Sequence, residues 1–231
     1  AVLKASRKLK ENILNIAAVI MQSEVNNLDV QNDQVIRKDG GKGISLKDLA
    51  QIVYYRGHEL PPGTNAELIA TASFSIEGVP FVFTNSAMGC LVDVDVDTGL
   101  TKIEKFWAVE DCGTQINPKL VEEQIRGGVV QGIGGALYEE CIYDEMGNLT
   151  NGNMADYLVP MAYEMPDIIV DHVTTNSGRS ILGAKGAGEA GTGGAPGAIM
   201  NAINDALIPL NIEVTSQPIT PEKVLKALGK I

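Results

Sequence analysis

The chain has 231 residues, of which 45% are hydrophobic and 20% charged, a composition typical of a globular protein that buries a core. Its formal net charge of −11 at pH 7 and its lack of a basic run argue against nucleic acid as a partner. No apolar run reaches the roughly 20 residues that a membrane span needs.

The three cysteines, Cys90, Cys112 and Cys141, form no CxxC pair, and with only two histidines the chain shows no zinc pattern. An odd and sparse number of cysteines is typical of a reducing compartment and favours the cytoplasm. The N-terminus has no signal-peptide pattern. Because the chain starts within a helical pattern and without methionine, we expect it to be a piece of a longer protein.

The first part of the chain predicts two helices on either side of a strand pair. Apolar residues recur at helical spacing over residues 1–22. Residues 28–45 read as two strands joined by a glycine turn. Ser45 is then the predicted N-cap of a short helix, with Asp48 at its third position.

The middle of the chain predicts extended structure and then one long helix. Residues 66–76 and 81–111 read as long strands, and alternating apolar residues on both sides of a turn at Asp97 predict a hairpin. Asn117 is the predicted N-cap of the long helix, which has a proline at its first position and runs to about Glu140.

The last part predicts a strand near 168–173, a helix over about 195–207, and a closing helix. Thr220 is the predicted N-cap of the closing helix and Gly229 its stop signal. The order of elements predicts an α+β fold with mixed or antiparallel sheets and packed helices. A division into two lobes, about 1–110 and 111–231, is compatible with this order.

The long helix carries glycines at 127, 128, 132, 134 and 135. A glycine in a helix interior costs roughly 0.8–1 kcal/mol relative to alanine, so five of them cost about 4 kcal/mol. Tight packing of a neighbouring element explains this cost, and composition alone favours that explanation. The alternative is a bulky ligand on the helix. Gln131 lies within the glycine run, where its amide needs hydrogen-bond partners if it is buried.

A second glycine-rich segment, residues 183–197, surrounds Glu189 and Lys185. Residues 186–191 match the GxGxxG dinucleotide fingerprint, but that fingerprint needs a strand directly before it, and Gly178 interrupts the preceding stretch. No GxxxxGK[ST] phosphate-binding loop is present. An exposed glutamate in a surface loop is the plain alternative. The glycine density instead favours backbone N–H groups against a ligand, with Glu189 as a general base.

The chain resembles the C-terminal part of the large subunit of the molybdenum hydroxylases, the xanthine oxidase family, in AVEDCGTQINPKLVEEQIRGG, VVQGIGGALYEE and GAKGAGEAG. The nearest resemblance is to the carbon monoxide dehydrogenase-like and aldehyde oxidoreductase-like large chains. The N-terminal helix, the hairpin and the ending PITPEKVLKAL are similar to the family as well, so the resemblance covers essentially the whole chain. It implies the fold of the C-terminal molybdenum-cofactor-binding domain.

The resemblance implies a molybdenum–molybdopterin cofactor, in the cytosine dinucleotide form usual in prokaryotes. It also implies an oxidoreductase that oxidises a substrate carbon with oxygen from water, with Glu189 as the catalytic base that deprotonates the hydroxyl group on molybdenum. Lys185 would hold the loop or shift the pKa of Glu189. The residues that the resemblance places against the cofactor are Gln131, Gly132, Gly134, Lys185, Gly186 and Gly188.

Large subunits of this family continue upstream, where a Gly-Ser-rich phosphate-binding segment is expected just before Ala1. We therefore expect this chain to need the upstream half of the large subunit. Iron–sulfur clusters and FAD are expected on a small and a medium partner subunit, since three scattered cysteines cannot ligate a cluster. Carbon monoxide, aldehydes and N-heterocycles remain open as substrates. The alternatives are an isolated structural or assembly domain without activity of its own and a nucleotide-binding protein.

Overall fold

A computed structural model of the chain describes residues 1–76, 78 and 81–231. It divides into two compact units, Ala1–Ser75 and Ile76–Ile231. The division lies before residue 110, the boundary that the sequence suggested. The reason is that the strand hairpin ending at Asp111 shares one hydrophobic core with the helices that follow it.

The first unit is a small antiparallel sheet with two helices. Its elements are helix α1 (Val2–Ile20), strands β1 (Leu28–Gln31), β2 (Gln34–Arg37) and β3 (Ile44–Ser45), and helix α2 (Leu46–Tyr55). The strands pair in the order β1-β2-β3. Apolar side chains of both helices and of the sheet form its core. The buried residues of that core are Ile16, Ala17, Leu28, Val35 and Leu49.

Three local predictions in this unit have different outcomes. The Ser45 cap is confirmed, since its hydroxyl accepts a hydrogen bond from the Asp48 N–H at 3.0 Å. The strand pair is also confirmed, but its turn is formed by Asn32 and Asp33, whose φ angles of 47° and 60° suit a two-residue hairpin. The strand predicted over 66–76 is wrong. That segment pairs with no strand in the described chain, so it lacks the neighbour that a strand's backbone needs.

The second unit is built on a three-stranded mixed sheet. Its elements are strands β4 (Asn85–Val94), β5 (Thr101–Asp111) and β6 (Asp167–His172), and helices α3 (Pro118–Leu137), α4 (Ala190–Leu207) and α5 (Pro221–Ala227). Strands β4 and β5 form the predicted antiparallel hairpin, and β6 pairs with β5 in parallel. The α+β class with mixed sheets is therefore confirmed.

Helices α3 and α4 cover the inward face of this sheet. The fully buried side chains there include Phe106 of β5, Ile125 and Ile133 of α3, and Ile199 and Ile203 of α4. No helix within the described part of the chain combines the length and apolar character needed to cross a membrane.

Both caps predicted for this unit are confirmed. The Asn117 side chain accepts a hydrogen bond from the Leu120 N–H, and the Thr220 side chain accepts one from the Lys223 N–H. Each cap satisfies a backbone donor that the first turn of a helix leaves unpaired. These local signals therefore set where α3 and α5 begin.

Helix α4 begins directly after Glu189, earlier than the predicted start near Ala195. The second half of the glycine-rich segment therefore forms the first turns of α4, and only the first half is a loop. Its glycines and Pro196 have poor helix propensity, which is why the sequence indicated a later start. Packing of α4 against α3 and β4 stabilises the helix and compensates for this poor propensity.

Helices α3 and α4 approach each other at glycines. A Cβ added to Gly132 would lie 2.5 Å from the Ala195 Cβ, and one added to Gly128 would lie 3.0 Å from the Gly191 Cα. A Cβ on Gly191 would in turn overlap the Ile125 carbonyl oxygen. Packing, which composition favoured, thus explains Gly128 and Gly132.

We expect Gly132→Ala to lower the free energy of unfolding by about 1–3 kcal/mol, because the new methyl group overpacks the helix interface. The matched change Gly127→Ala places a methyl group in open space on the same helix. It should raise the free energy of unfolding by roughly 0.5–1 kcal/mol through helix propensity. Urea unfolding of both variants measures the difference, and equal effects would contradict the packing role of Gly132.

Candidate active site

Glu189 lies immediately before helix α4, and its side chain is exposed. The carboxylate makes no N-cap hydrogen bond to the helix. Among the residues that the structure describes, it has no hydrogen-bond or ion-pair partner. Such a carboxylate is available to accept a proton from a group outside the chain.

Glu189 belongs to a run of backbone N–H groups that lack acceptors. From Gly186 to Gly191, named here the amide segment, no backbone N–H donates to an acceptor in the described chain. The N-terminus of a helix has unpaired donors and the positive end of the helix dipole, so it favours anions. A Cβ added at Gly188 would meet nothing within 4 Å, so the space beside it is open. The amide segment is therefore a candidate surface for an anionic or hydrogen-bond-accepting ligand.

Gln124 of α3 fixes the amide segment, a role that was not among the sequence-based predictions. Its Nε2 donates a hydrogen bond of 2.7 Å to the carbonyl oxygen of Gly188, the residue before Glu189. A signal did exist, because Gln124 and Gln131 are two helical turns apart and so lie on the same face of α3. A pair of amides on one face of a glycine-rich helix indicates that this face makes polar contacts.

Gln131 lies close to the start of α4, so Gln131 and the amide segment can contact the same ligand. The Thr192 hydroxyl in the first turn of α4 lies 3.2 Å from the Gln131 Oε1 and 3.1 Å from the carbonyl oxygen of Gly128. Gln131 is exposed, so burial does not oblige its amide to find partners within the chain. Its NH₂ group donates to no acceptor within residues 1–76, 78 and 81–231.

Four of the five glycines of α3 form two pairs with different surroundings. Gly132 and Gly134 are buried, and a Cβ on Gly134 would overlap the carboxylate of Glu139. Gly127 and Gly135 are exposed, and a Cβ added to either would meet nothing within 4 Å. Protein atoms thus fill the space beside the first pair, whereas the space beside the second pair is open to a ligand.

Lys185 contacts Asp111 at the end of β5. Its Nζ lies 2.9 Å from the Asp111 Oδ2 and 2.8 Å from the Thr175 Oγ1, and the Thr175 hydroxyl and N–H also donate to the Asp111 carboxylate. The Lys185 and Asp111 side chains are only 9% and 13% exposed. We name these three residues the Asp111 cluster. The contact with Asp111 fits the first of the two roles expected for Lys185, which is to hold the loop.

The backbone joins the same two segments. The Lys185 N–H donates to the Cys112 carbonyl oxygen at 2.7 Å, and the Thr114 N–H donates to the Gly183 carbonyl oxygen at 3.3 Å. Gly113 has a φ of 64°, and a Cβ there would overlap the Gly183 carbonyl, so only glycine fits. The segment that leads to Glu189 is therefore anchored to the end of β5 by side chains and by backbone.

Two of the cavities lined by described residues of this unit bear on the site. One of about 410 Å³ adjoins Lys185 and is lined by Phe81, Phe83 and Arg179. A larger one of about 890 Å³ lies at the far end of the hairpin, beside Thr101 and Tyr138, and contains none of the candidate residues. The chemistry of the side chains, and not cavity size, therefore identifies the site.

The family model and the similar known proteins point to the same family. Residues 1–166 match the family model of the molybdopterin cofactor-binding domain. The chain is 36% identical to the nicotine 6-hydroxylase large subunit of Paenarthrobacter nicotinovorans, over 97% of this chain and 27% of that protein. It is 32% identical to the carbon monoxide dehydrogenase large chain of Hydrogenophaga pseudoflava, over 99% of this chain and 28% of that protein.

A solved structure resembles the fold of the whole chain. Quinoline 2-oxidoreductase from Pseudomonas putida 86 superposes with a TM-score of 0.84 at 35% identity, covering 98% of this chain and 29% of that one. The chain thus spans less than a third of the length of the relatives it matches. The family match ends before Glu189, whereas the matches to the two relatives and to this structure extend over nearly the whole chain.

Acid should weaken the Asp111 cluster. Hydrogen bonds from Thr175, and then from Lys185, hold the pKa of the Asp111 carboxyl well below its usual range. Its stabilising contribution is therefore complete above the unfolded-state pKa of about 3.9 and is lost as pH falls below that value. We expect the stability of the wild type to fall more steeply than that of Asp111→Asn between about pH 5 and pH 3.

Urea unfolding across that pH range checks the expectation. The control is Asp205→Asn, because Asp205 is exposed and its side chain has no partner in the described chain. This control should keep the acid sensitivity of the wild type. Equal acid sensitivity of the wild type and Asp111→Asn would show that the cluster does not stabilise the fold through the ionised carboxylate.

Proposed function

The chain belongs to the family of molybdopterin cofactor-binding domains, and we propose that it is the C-terminal part of the large subunit of a molybdenum hydroxylase. Such an enzyme oxidises a substrate carbon with oxygen that comes from water. One observation carries the proposal: Glu189 lies within the amide segment, beside the exposed face of α3 that bears Gln131.

The residues at this site fit a large anionic cofactor. Phosphate and pterin groups need hydrogen-bond donors and space, and the N–H groups of Gly186 and Gly188 and the Gln131 amide offer donors. The open space beside Gly127 and Gly135 leaves room along α3. When bound, the molybdenum cofactor would supply the two-electron oxidation–reduction chemistry.

The other predicted residues would support the cofactor indirectly. Gly132 and Gly134 bring protein elements close to the α3 backbone, since protein atoms fill the space beside them. Lys185 would position the amide segment through Asp111, without touching the cofactor itself.

Glu189 would act as the general base. Its carboxylate would accept a proton from the water-derived oxygen as the substrate carbon is oxidised. Gln124 fixes the backbone on one side of Glu189, and the Asp111 cluster fixes the segment that leads to it. A base held in this way needs little rearrangement to reach a reactive geometry.

The proposal extends to the form of the cofactor and to the partners. We propose the cytosine dinucleotide form of molybdopterin, bound jointly with the upstream half of the large subunit. An iron–sulfur small subunit and a flavin medium subunit would carry the electrons away. The names "large subunit" and "large chain" of the relatives support a multi-subunit enzyme. Three free cysteines support a reducing compartment, the cytoplasm.

The substrate is proposed to be a small molecule. By their names, the relatives and the structural neighbour act on nicotine, carbon monoxide and quinoline. An N-heterocycle, an aldehyde and carbon monoxide each fit a site that offers one base and backbone donors. Turnover of these three classes by the assembled enzyme identifies the substrate.

Glu189→Gln should lower turnover of the assembled enzyme by about 100-fold or more, because the amide cannot accept the proton. Molybdenum and pterin content should stay unchanged, since the substitution keeps size and shape. Glu213→Gln is the control, because Glu213 is exposed and its side chain has no partner in the described chain. Turnover close to that of the wild type would contradict the assignment of Glu189 as the general base and would favour the assembly-domain alternative.

Gln131→Ala should weaken cofactor retention by roughly tenfold or more, the effect of losing one hydrogen bond of about 1.5–3 kcal/mol to a charged group. Elemental analysis of molybdenum after extended dialysis measures retention. Gln51→Ala, at an exposed glutamine in the first unit, serves as the control. Unchanged molybdenum content together with unchanged kinetics would contradict a cofactor contact at Gln131.

A further inference from the structure

Glu110 is a fully buried carboxyl group near the end of β5. Its exposure is 0%, and it follows Phe106 and Ala108 on the face of β5 that packs into the core. A buried charge is costly unless it is paired and hydrogen-bonded. The immediate neighbours of Glu110 therefore decide its protonation state.

The two oxygens of Glu110 have different surroundings. Oε1 makes a hydrogen bond with the hydroxyl of Thr84, just before β4. Oε2 is buried and has no hydrogen-bond partner in the described chain. An ionised carboxylate accepts at both oxygens, so a bare, buried Oε2 does not fit the charged form.

The hydrogen bonds of the Thr84 hydroxyl also favour the protonated form of Glu110. The Thr84 Oγ1 also lies 2.8 Å from the carbonyl oxygen of Asp111. A hydroxyl has one proton to donate, and a carbonyl oxygen can only accept. The Thr84 proton therefore goes to the Asp111 carbonyl, and the proton between Thr84 and Glu110 must come from Glu110.

In the part of the chain that the structure describes, the charged and titratable groups around Glu110 are Asp111, Cys112, Lys185 on the loop before α4, and His172, its register partner on β6. Lys185 opposes the negative charge of Asp111, but its Nζ is bound to Asp111 and Thr175. His172 is exposed. Burial, and then the charge of Asp111, raise the pKa of the Glu110 carboxyl. A hydrogen bond donated by Glu110 to Thr84 favours the neutral form as well.

We propose that Glu110 is a neutral carboxylic acid in the folded protein and acts as a positioning residue for the Glu189 segment. Its proton holds Thr84, and Thr84 holds the backbone of Asp111, whose carboxylate binds Lys185 in the segment that leads to Glu189. The role goes beyond the proposed function, because it needs no bound cofactor.

Stability against pH tests the proposal in the full chain. A group that keeps its proton in the folded state contributes stability at low pH and loses it as pH rises above the unfolded-state pKa, about 4.3 for glutamate. Glu110→Gln mimics the neutral acid and should escape this loss. Its folding equilibrium constant relative to wild type should rise by up to about tenfold per pH unit above that value, until the folded-state pKa is reached.

Glu213→Gln is the matched control and should show no such rise. A residue with a merely structural role would change stability by the same factor at every pH. That outcome for Glu110→Gln would overturn the proposal.

Infrared spectroscopy of the wild type gives a second measurement that does not depend on a variant folding. At neutral pH we expect the carbonyl stretching band of one protonated carboxylic acid. The band should persist in Glu213→Gln and disappear in Glu110→Gln. The frequency of the band should shift in Thr84→Val, which removes the hydroxyl. In Thr84→Ser, which keeps the hydroxyl, the band should lie at the wild-type frequency. Carboxylate bands alone at neutral pH would overturn the proposal and show that Glu110 is ionised.

Discussion

The close contact of α3 and α4 at Gly128 and Gly191 is the constraint on which the candidate site depends. Because no side chain separates the helices there, the start of α4 lies directly beside α3. Gln124 can then reach the carbonyl before Glu189, and Thr192 can reach α3. The glycines weaken each helix locally, and the packing that they permit sets the geometry of the site.

Two neighbouring residues of β5 show how surroundings set the protonation state of a carboxyl group. Asp111 accepts hydrogen bonds from Thr175, Lys185 and the Gly113 N–H, so the ionised form is favoured. Glu110 is buried, and one of its oxygens lacks a donor in the described chain, so the neutral form is favoured. The anchor beneath the Glu189 segment thus joins one charged and one neutral acid.

The donors at the site come largely from the backbone. Peptide N–H groups from Gly186 to Gly191 are fixed by the fold and need no side chain to choose a rotamer, so they stay oriented without a ligand. Glu189 is then the single acidic group among them. A fixed set of backbone donors around one proton acceptor suits a site that both binds an anionic group and moves a proton.

The sequence by itself determined the α+β class, the hairpin, the helix caps and the resemblance to the molybdenum hydroxylases. These signals are local, since a cap such as Ser45 bonds a backbone group only three residues away. Only the tertiary structure decided where α4 begins, which α3 glycines face protein, that Gln131 is exposed, and that Lys185 binds Asp111, 74 positions earlier. Each of these depends on which distant elements pack together, and neither propensity nor periodicity along the chain contains that information.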